Sequence, residues 1–304
     1  MVKNKQLNPD ATYSKKFLRM RGGNRKKLNR SIGGNIAMFV FLLLCGAFMI
    51  LPLYYVVITA FKPLNEIFIF PPRFYVQNPS VDNFVTMVRL VSGSRVPFSR
   101  YLFNSVIVAV LGTILNIIIG AMGAFPLAKH RFKGRQMIYQ LIVWAMMFRG
   151  EVIGIPQYLI IANLGMINTY WAILLPHLAG TLGLFLMRQF MISNIPDTVL
   201  EAARIDGAGE WKIFWRIAMP NVKPAWLTLA IFQFQATWHA TGSTYIYDEP
   251  MKMLPTALNQ IVAGGVTRQG AAAAVSLIMM LPPIALFIFS QSSIMETMST
   301  SGLK

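Results

Sequence analysis

Residues 233–239 place two amides, an indole and an imidazole within two turns of a helix: Gln235 and His239 at i, i+4, with Gln233 and Trp238 beside them. An aromatic ring next to amide and imidazole donors suits a ligand that is apolar on its face and hydroxylated at its edge. Asn116, alone in an apolar run, is a further candidate of this kind. The competing role for all of them is hydrogen bonding between helices. Covalent chemistry has no equivalent set. Neither His177 nor His239 pairs with a serine as nucleophile and base. No G-x-x-x-x-G-K-[ST] phosphate loop occurs, since Gly22-Gly23 and Gly264-Gly265 lack the Lys-Ser/Thr that must follow. The single cysteine, Cys45, sits in an apolar stretch and reads as packing, not as a redox or metal site.

The elements that must hold these residues follow from composition. Of 304 residues, 55% are hydrophobic and 13% charged, about half the charge of a soluble globule. The chain therefore belongs in lipid, as an all-α membrane protein. A helix crossing about 30 Å of hydrocarbon needs roughly 20 apolar residues, and runs poor in charge predict six such spans. Residues 36–61 and 101–128 qualify alone. The long apolar stretch 136–187 is too long for one helix, and Pro156 with the Asn163–Thr169 turn residues divides it. Division there gives a third span near 136–156, a short interfacial helix at 157–167 and a fourth span near 169–190. The fifth and sixth follow near 225–247 and 269–295. Gly112, Asn116 and Gly120, spaced by four, suit close helix packing, and Pro282-Pro283 predicts a kink in the last span.

The net charge of +17 would suggest nucleic acid in a soluble protein. Its distribution argues otherwise. With the N-terminus inside, 20 of the 28 Lys and Arg fall in the segments 1–35, 129–135, 188–224 and 292–304, as the positive-inside rule requires. The expected organisation is a basic cytoplasmic tail (1–35), a first membrane helix (36–61), an extracellular segment (62–100), a core of five helices (101–295) and a cytoplasmic tail (296–304), with both termini cytoplasmic. The basic tail is a topology determinant resting on anionic lipid, with no nucleic acid involved. Arg149 and Glu151 belong at the outer surface. The clear spans carry no Asp, Glu or Lys of the kind ion coupling in a secondary transporter needs.

Between the fourth and fifth spans lies a polar, structured island, 196–220, on the cytoplasmic side. Pro196-Asp197-Thr198 starts a short helix with acids near its positive end. Gly207 permits a turn, a second segment places Trp211, Phe214, Trp215 and Ala218 at helical spacing, and Pro220 ends it. Two short helices at an angle make a plug for a groove on another protein; the alternative is an amphipathic helix lying on the inner leaflet.

Glu201-Ala202-Ala203, three residues, Gly207, nine residues, Ile217 and then Pro220 resembles the "EAA" loop of ABC-importer permeases, with Met219 where the family usually has Leu. Ile155-Pro156-Gln157-Tyr158, Leu164 to Thr169, Phe190 and Ile195-Pro196 extend the likeness over roughly 36–295, toward carbohydrate-uptake permeases of the maltose-transporter type and Gram-positive oligosaccharide permeases among them. The resemblance implies the six-helix bundle of a type I ABC importer permease in a bacterial cell membrane. It implies a coupling role for Glu201, Ala202, Ala203, Asp206, Gly207, Ile217 and Pro220. It also implies a second homologous permease, two cytoplasmic ATPase subunits that bind the ATP and Mg, and an extracellular solute-binding protein delivering the carbohydrate. This chain would then be no enzyme and hold no cofactor, and the substrate-pathway candidates are Asn116, Gln235, Trp238 and His239. A peptide or amino acid as cargo stays the alternative.

Overall fold

The computed structural model describes residues 32–92, 96–148, 150–178 and 180–301. The basic tail and Arg149 lie outside the described residues, as does the Glu151 side chain. Among the described residues there is no strand, so every backbone polar group in lipid must be satisfied within a helix.

The longest uncharged runs give the longest helices: α1 (Ile32–Phe61), then, after the short α2 (Leu64–Ile67) and α3 (Asp82–Ser92), α4 (Phe98–Lys129). The part of α1 up to Tyr54 forms a unit of its own, with Phe39, Leu44 and Phe48 exposed as lipid-facing side chains would be. The second unit begins at Tyr55 and contains α5 (Arg135–Ala145), α6 (Gly150–Asn163), α7 (Tyr170–Leu178), α8 (Thr181–Asn194), α9 (Asp197–Ile205), α10 (Glu210–Ile213), a π turn (Phe214–Ala218), α11 (Met219–Asn221), α12 (Lys223–Trp238), α13 (Leu254–Val262) and α14 (Gln269–Ser301).

Three helices among the described residues are single and long enough to cross a bilayer: Gly33–Phe61, Phe98–Lys129 and Val266–Gln291. The expected fourth span is a pair, Tyr170–Leu178 and Thr181–Asn194, bent by 40° at its break. The expected third span is also broken, but not where the sequence suggests. Pro156 lies inside α6, and the interruption falls between Ala145 and Gly150; the interfacial helix expected at 157–167 is the second half of α6. The fifth span is shorter than expected. α12 stops at Trp238, and residues 240–247 turn back through Gly242 at φ +65°. Its 16 residues span about 24 Å. α14 runs as one helix through Pro282 and Pro283.

α4 is the central post, packing on α8, α12 and α7. Small residues allow this. A methyl group on Gly112 would stand 3.0 Å from Thr237, and one on Gly183 would stand 3.0 Å from Asn116 and 3.1 Å from Leu229. The two ends of α4 are tied to different loops. At its start, the Tyr101 hydroxyl donates to Glu249 (2.6 Å), and the Asn104 amide donates to the carbonyls of Pro250 (2.9 Å) and Lys252 (2.8 Å). At its finish, Lys129 and His130 hold the segment that follows α8.

Candidate functional site: a two-helix knob at the end of the central post

The 196–220 island folds as two short arms joined at Gly207. α9 runs Asp197–Ile205, with Leu200 buried and Val199 and Ile205 exposed. It closes in a Schellman arrangement: the Gly207 N–H donates to the Arg204 carbonyl and the Ala208 N–H to the Ala203 carbonyl, both 3.0 Å, with Gly207 at φ +78°. That left-handed position costs an ordinary L-residue about 1–2 kcal/mol, which accounts for the glycine. Nothing lies within 4 Å of a methyl group built there, so backbone conformation alone selects it. Pro196 holds the N-cap position without a side-chain bond, and Asp197 turns instead to Lys129.

On the second arm the Trp211, Phe214 and Trp215 rings lie 5.0–6.0 Å apart, with Phe214 and Ala218 buried and Trp211 and Trp215 exposed. Contrary to expectation, Pro220 does not end the segment. It sits within α11, and the helical run continues until Val222, whose φ of −106° breaks it. The wide π turn Phe214–Ala218 ends one residue short of Pro220, which lacks the N–H of an α ladder and whose ring would crowd the carbonyl four residues back.

The knob's base is seated in a packed cluster. Leu200, Ile213, Phe214, Ala218 and Val222 join Phe125 and Ala128 of α4 and Met187 and Met191 of α8. Ala203 and Ile217 pack against that cluster, whereas Glu201, Ala202, Asp206 and Pro220 are exposed. Two large apolar side chains stand out among its exposed residues, Ile205 at 86% and Trp211 at 62% exposure.

Charged groups brace the base. The Lys129 ammonium donates to the Ile195 carbonyl (2.6 Å) and to the Asp197 carboxylate (2.7 Å). His130 Nε2 lies 3.1 Å from Glu210, and Arg204 Nε donates to Glu210 at 2.7 Å. A cleft of about 490 Å³ lies between loop and knob, lined by Lys129, His130, Asp197, Glu201, Arg204 and Glu210. Lys129 holds the Asp197 carboxyl below its ordinary value of 3.8, chiefly by hydrogen bonding. Arg204, again chiefly by hydrogen bonding, lowers Glu210 from 4.5, and Glu210 in return raises Arg204.

Arg188 is the residue sequence reasoning misses. Nearly buried on α8, it donates from Nε to the Leu127 carbonyl (3.1 Å) and sets its guanidinium 3.7 Å from the Tyr139 ring centre. It thereby caps a free carbonyl at the negative end of α4. Its position at the close of an apolar run is the only signal, and by charge alone it reads as one more inner-surface cation.

The four pathway candidates do not converge. Trp238 is 1% exposed, donates from Nε1 to the Met279 carbonyl (2.8 Å) and stacks on Phe234. Its ring is core packing between α12 and α14. Gln235 and His239 are exposed on α12 and at its end. Asn116 is 1% exposed and donates to the His177 carbonyl (2.7 Å), a group that the break after α7 leaves without a helical partner. Among the described residues its Oδ1 meets no hydrogen-bond donor, and the buried Nε2 of Gln233 meets no acceptor. Asn116→Ala is therefore expected to cost about 1–3 kcal/mol by orphaning the His177 carbonyl. Denaturant titration of the purified permease checks this, and an unchanged midpoint would contradict the bracing role.

Among the described residues the fold is a helical bundle with spans long enough to cross a membrane and a braced two-armed knob at the end of α4. The chain belongs to the binding-protein-dependent transport system inner membrane component family, whose model matches residues 116–298. It is 32% identical to protein LplC of Bacillus subtilis over 85% of this chain and 90% of that one. It is 26% identical to the arabinooligosaccharides transport system permease protein AraQ of Bacillus subtilis, over 88% and 95%. Its fold matches the crystal structure of a bacterial ABC transporter involved in the import of the acidic polysaccharide alginate, with a TM-score of 0.73 at 21% identity, covering 86% of this chain and 98% of that one.

Proposed function

We propose that this chain is one of two homologous membrane subunits of an ATP-driven importer that takes up an oligosaccharide by alternating access. An extracellular solute-binding protein delivers the sugar, and two cytoplasmic ATPase subunits bind ATP and Mg. The family's dependence on a binding protein supports the first partner. The oligosaccharide and polysaccharide cargoes in the names of AraQ and the alginate transporter support the substrate class.

The observation that carries the reading is the knob: a base packed into the bundle, a Gly207 turn, and Ile205 and Trp211 exposed at the tip. ATP binding closes the ATPase pair, moves the docked knob and tips the bundle from inward- to outward-facing, and hydrolysis resets it; each state is favoured by different contacts. Glu201, Ala202, Ala203, Asp206 and Gly207 meet the ATPase, while Ile217 and Pro220 shape the second arm. The knob and both termini lie in the cytoplasm, in accord with the inward bias of Lys and Arg. Gln235 and His239, exposed in this chain alone, face the sister subunit across the sugar's path.

The test is uptake by the importer reconstituted in vesicles with its binding protein, comparing neutral oligosaccharides with peptides. ATP-dependent accumulation of an oligosaccharide is expected. Accumulation of peptides alone would overturn the substrate class.

A further inference from the structure

The chain links the knob directly to α8 and α12, through Ile195 and Val222. The side chains tell of a third attachment. Lys129 is the last residue of α4, and its ammonium reaches the carbonyl before the first arm and the carboxylate that begins it. The pair is asymmetric: the Lys129 side chain is 5% exposed and that of Asp197 72%. The ammonium is thus held in place by its surroundings and the carboxylate comes to it. The next residue, His130, meets Glu210 at the start of the second arm, and Glu210 is also gripped by Arg204 from the first. One turn back on α4, Phe125 sets its ring edge-on to His130 (5.2 Å between centres) and to Phe214 (5.6 Å). Both arms are therefore fastened to residues 125–130 by an ion pair, a bridging carboxylate and an aromatic contact.

We infer that Lys129, with His130 as its neighbour, is a positioning residue that latches the knob to the inner end of α4, so that α4 and the knob move as one body during the transport stroke. The apolar seat of Leu200, Ile213 and Phe214 holds the knob's base without direction, and a knob with that seat alone could still slide or tilt between Ile195 and Val222. One gripped at both arms transmits displacement into the central post, against which α7, α8 and α12 all pack. The inference rests on the knob being the ATPase docking element, but its test separates the two.

With Cys45 replaced by serine, spin labels are placed at exposed positions 111 on α4 and 212 on the second arm. Distances are measured by electron–electron resonance in the full importer, nucleotide-free and trapped with ADP and vanadate. One narrow distance, the same in both states, is expected. Lys129→Met keeps the buried apolar stem but removes the donors, and it is expected to lose the narrow distribution while the ATPase stays bound. Lys129→Arg restores both donors and charge, and it is expected to recover the distribution, which a purely bulk-packing role would not require. A distance that shifts between the two states in the unaltered latch, or a narrow distribution surviving in Lys129→Met, would overturn the inference. If the ATPase is absent from the purified complex, docking is what fails. The contrast between Lys129→Met and Lys129→Arg without nucleotide then still decides the latch.

Discussion

Gly207→Pro is expected to abolish uptake while leaving the permease in the membrane. Proline fixes φ near −65°, and the chain needs +78° here. The substitution also deletes the N–H that bonds the Arg204 carbonyl. The two arms would diverge, Glu210 would leave Arg204 and His130, and the apolar tip would no longer present Ile205 and Trp211 together. None of this touches the membrane helices, so the amount of inserted protein, read by quantitative blotting of membranes, is expected to hold. Graded variants sharpen the argument. Gly207→Asn is expected to retain uptake best, because asparagine tolerates the left-handed region. Gly207→Ala is expected to fall between, with open space around it but about 1–2 kcal/mol of conformational cost. Uptake by Gly207→Pro at the parental rate would show that the turn is not needed.

The second large effect is expected at the tip. Ile205 is so exposed that replacing it with aspartate removes little packing from the knob, while Trp211, also exposed, gives up its ring contacts with Phe214 and Trp215. On a partner, though, a desolvated aliphatic or indole anchor is worth about 2 kcal/mol or more, roughly thirtyfold in affinity for each. The pair Ile205→Asp and Trp211→Asp is therefore expected to strip the ATPase subunits from the detergent-purified complex, and Ile205→Asp alone is expected to weaken their attachment with no change in the permease's own unfolding midpoint. Retention of the ATPase at parental stoichiometry would mean that the tip lies elsewhere, against lipid for example.

The legible parts of this protein are those set by local sequence. A charge-free run longer than the bilayer must be a helix, which gives α1, α4 and α14. A glycine after an amphipathic turn, followed by another, predicts the bend at Gly207 with no knowledge of the fold. Breaks are harder to place, because a proline within lipid can be absorbed by neighbouring helices. Pro156 and Pro282-Pro283 therefore sit inside helices, while the interruption before Gly150 carries no strong breaker. Long-range pairings are beyond local reading altogether. Nothing in the order of residues says that Lys129 meets Asp197, that Arg188 caps α4, or that Trp238 spends its only donor on Met279. Polar residues within apolar runs signal that a bond is made, but the partner is fixed by tertiary packing. Asn116 and Trp238 accordingly serve the bundle, and Gln235 and His239 alone keep their polar atoms outward.

The most direct test of the central claim is a photo-activated cross-linking amino acid at position 205, irradiated in membranes that contain the complete importer. The account predicts one dominant product joining this chain to the cytoplasmic ATPase, lost when Gly207→Pro is added. Cross-links only to lipid or to the extracellular binding protein would contradict it.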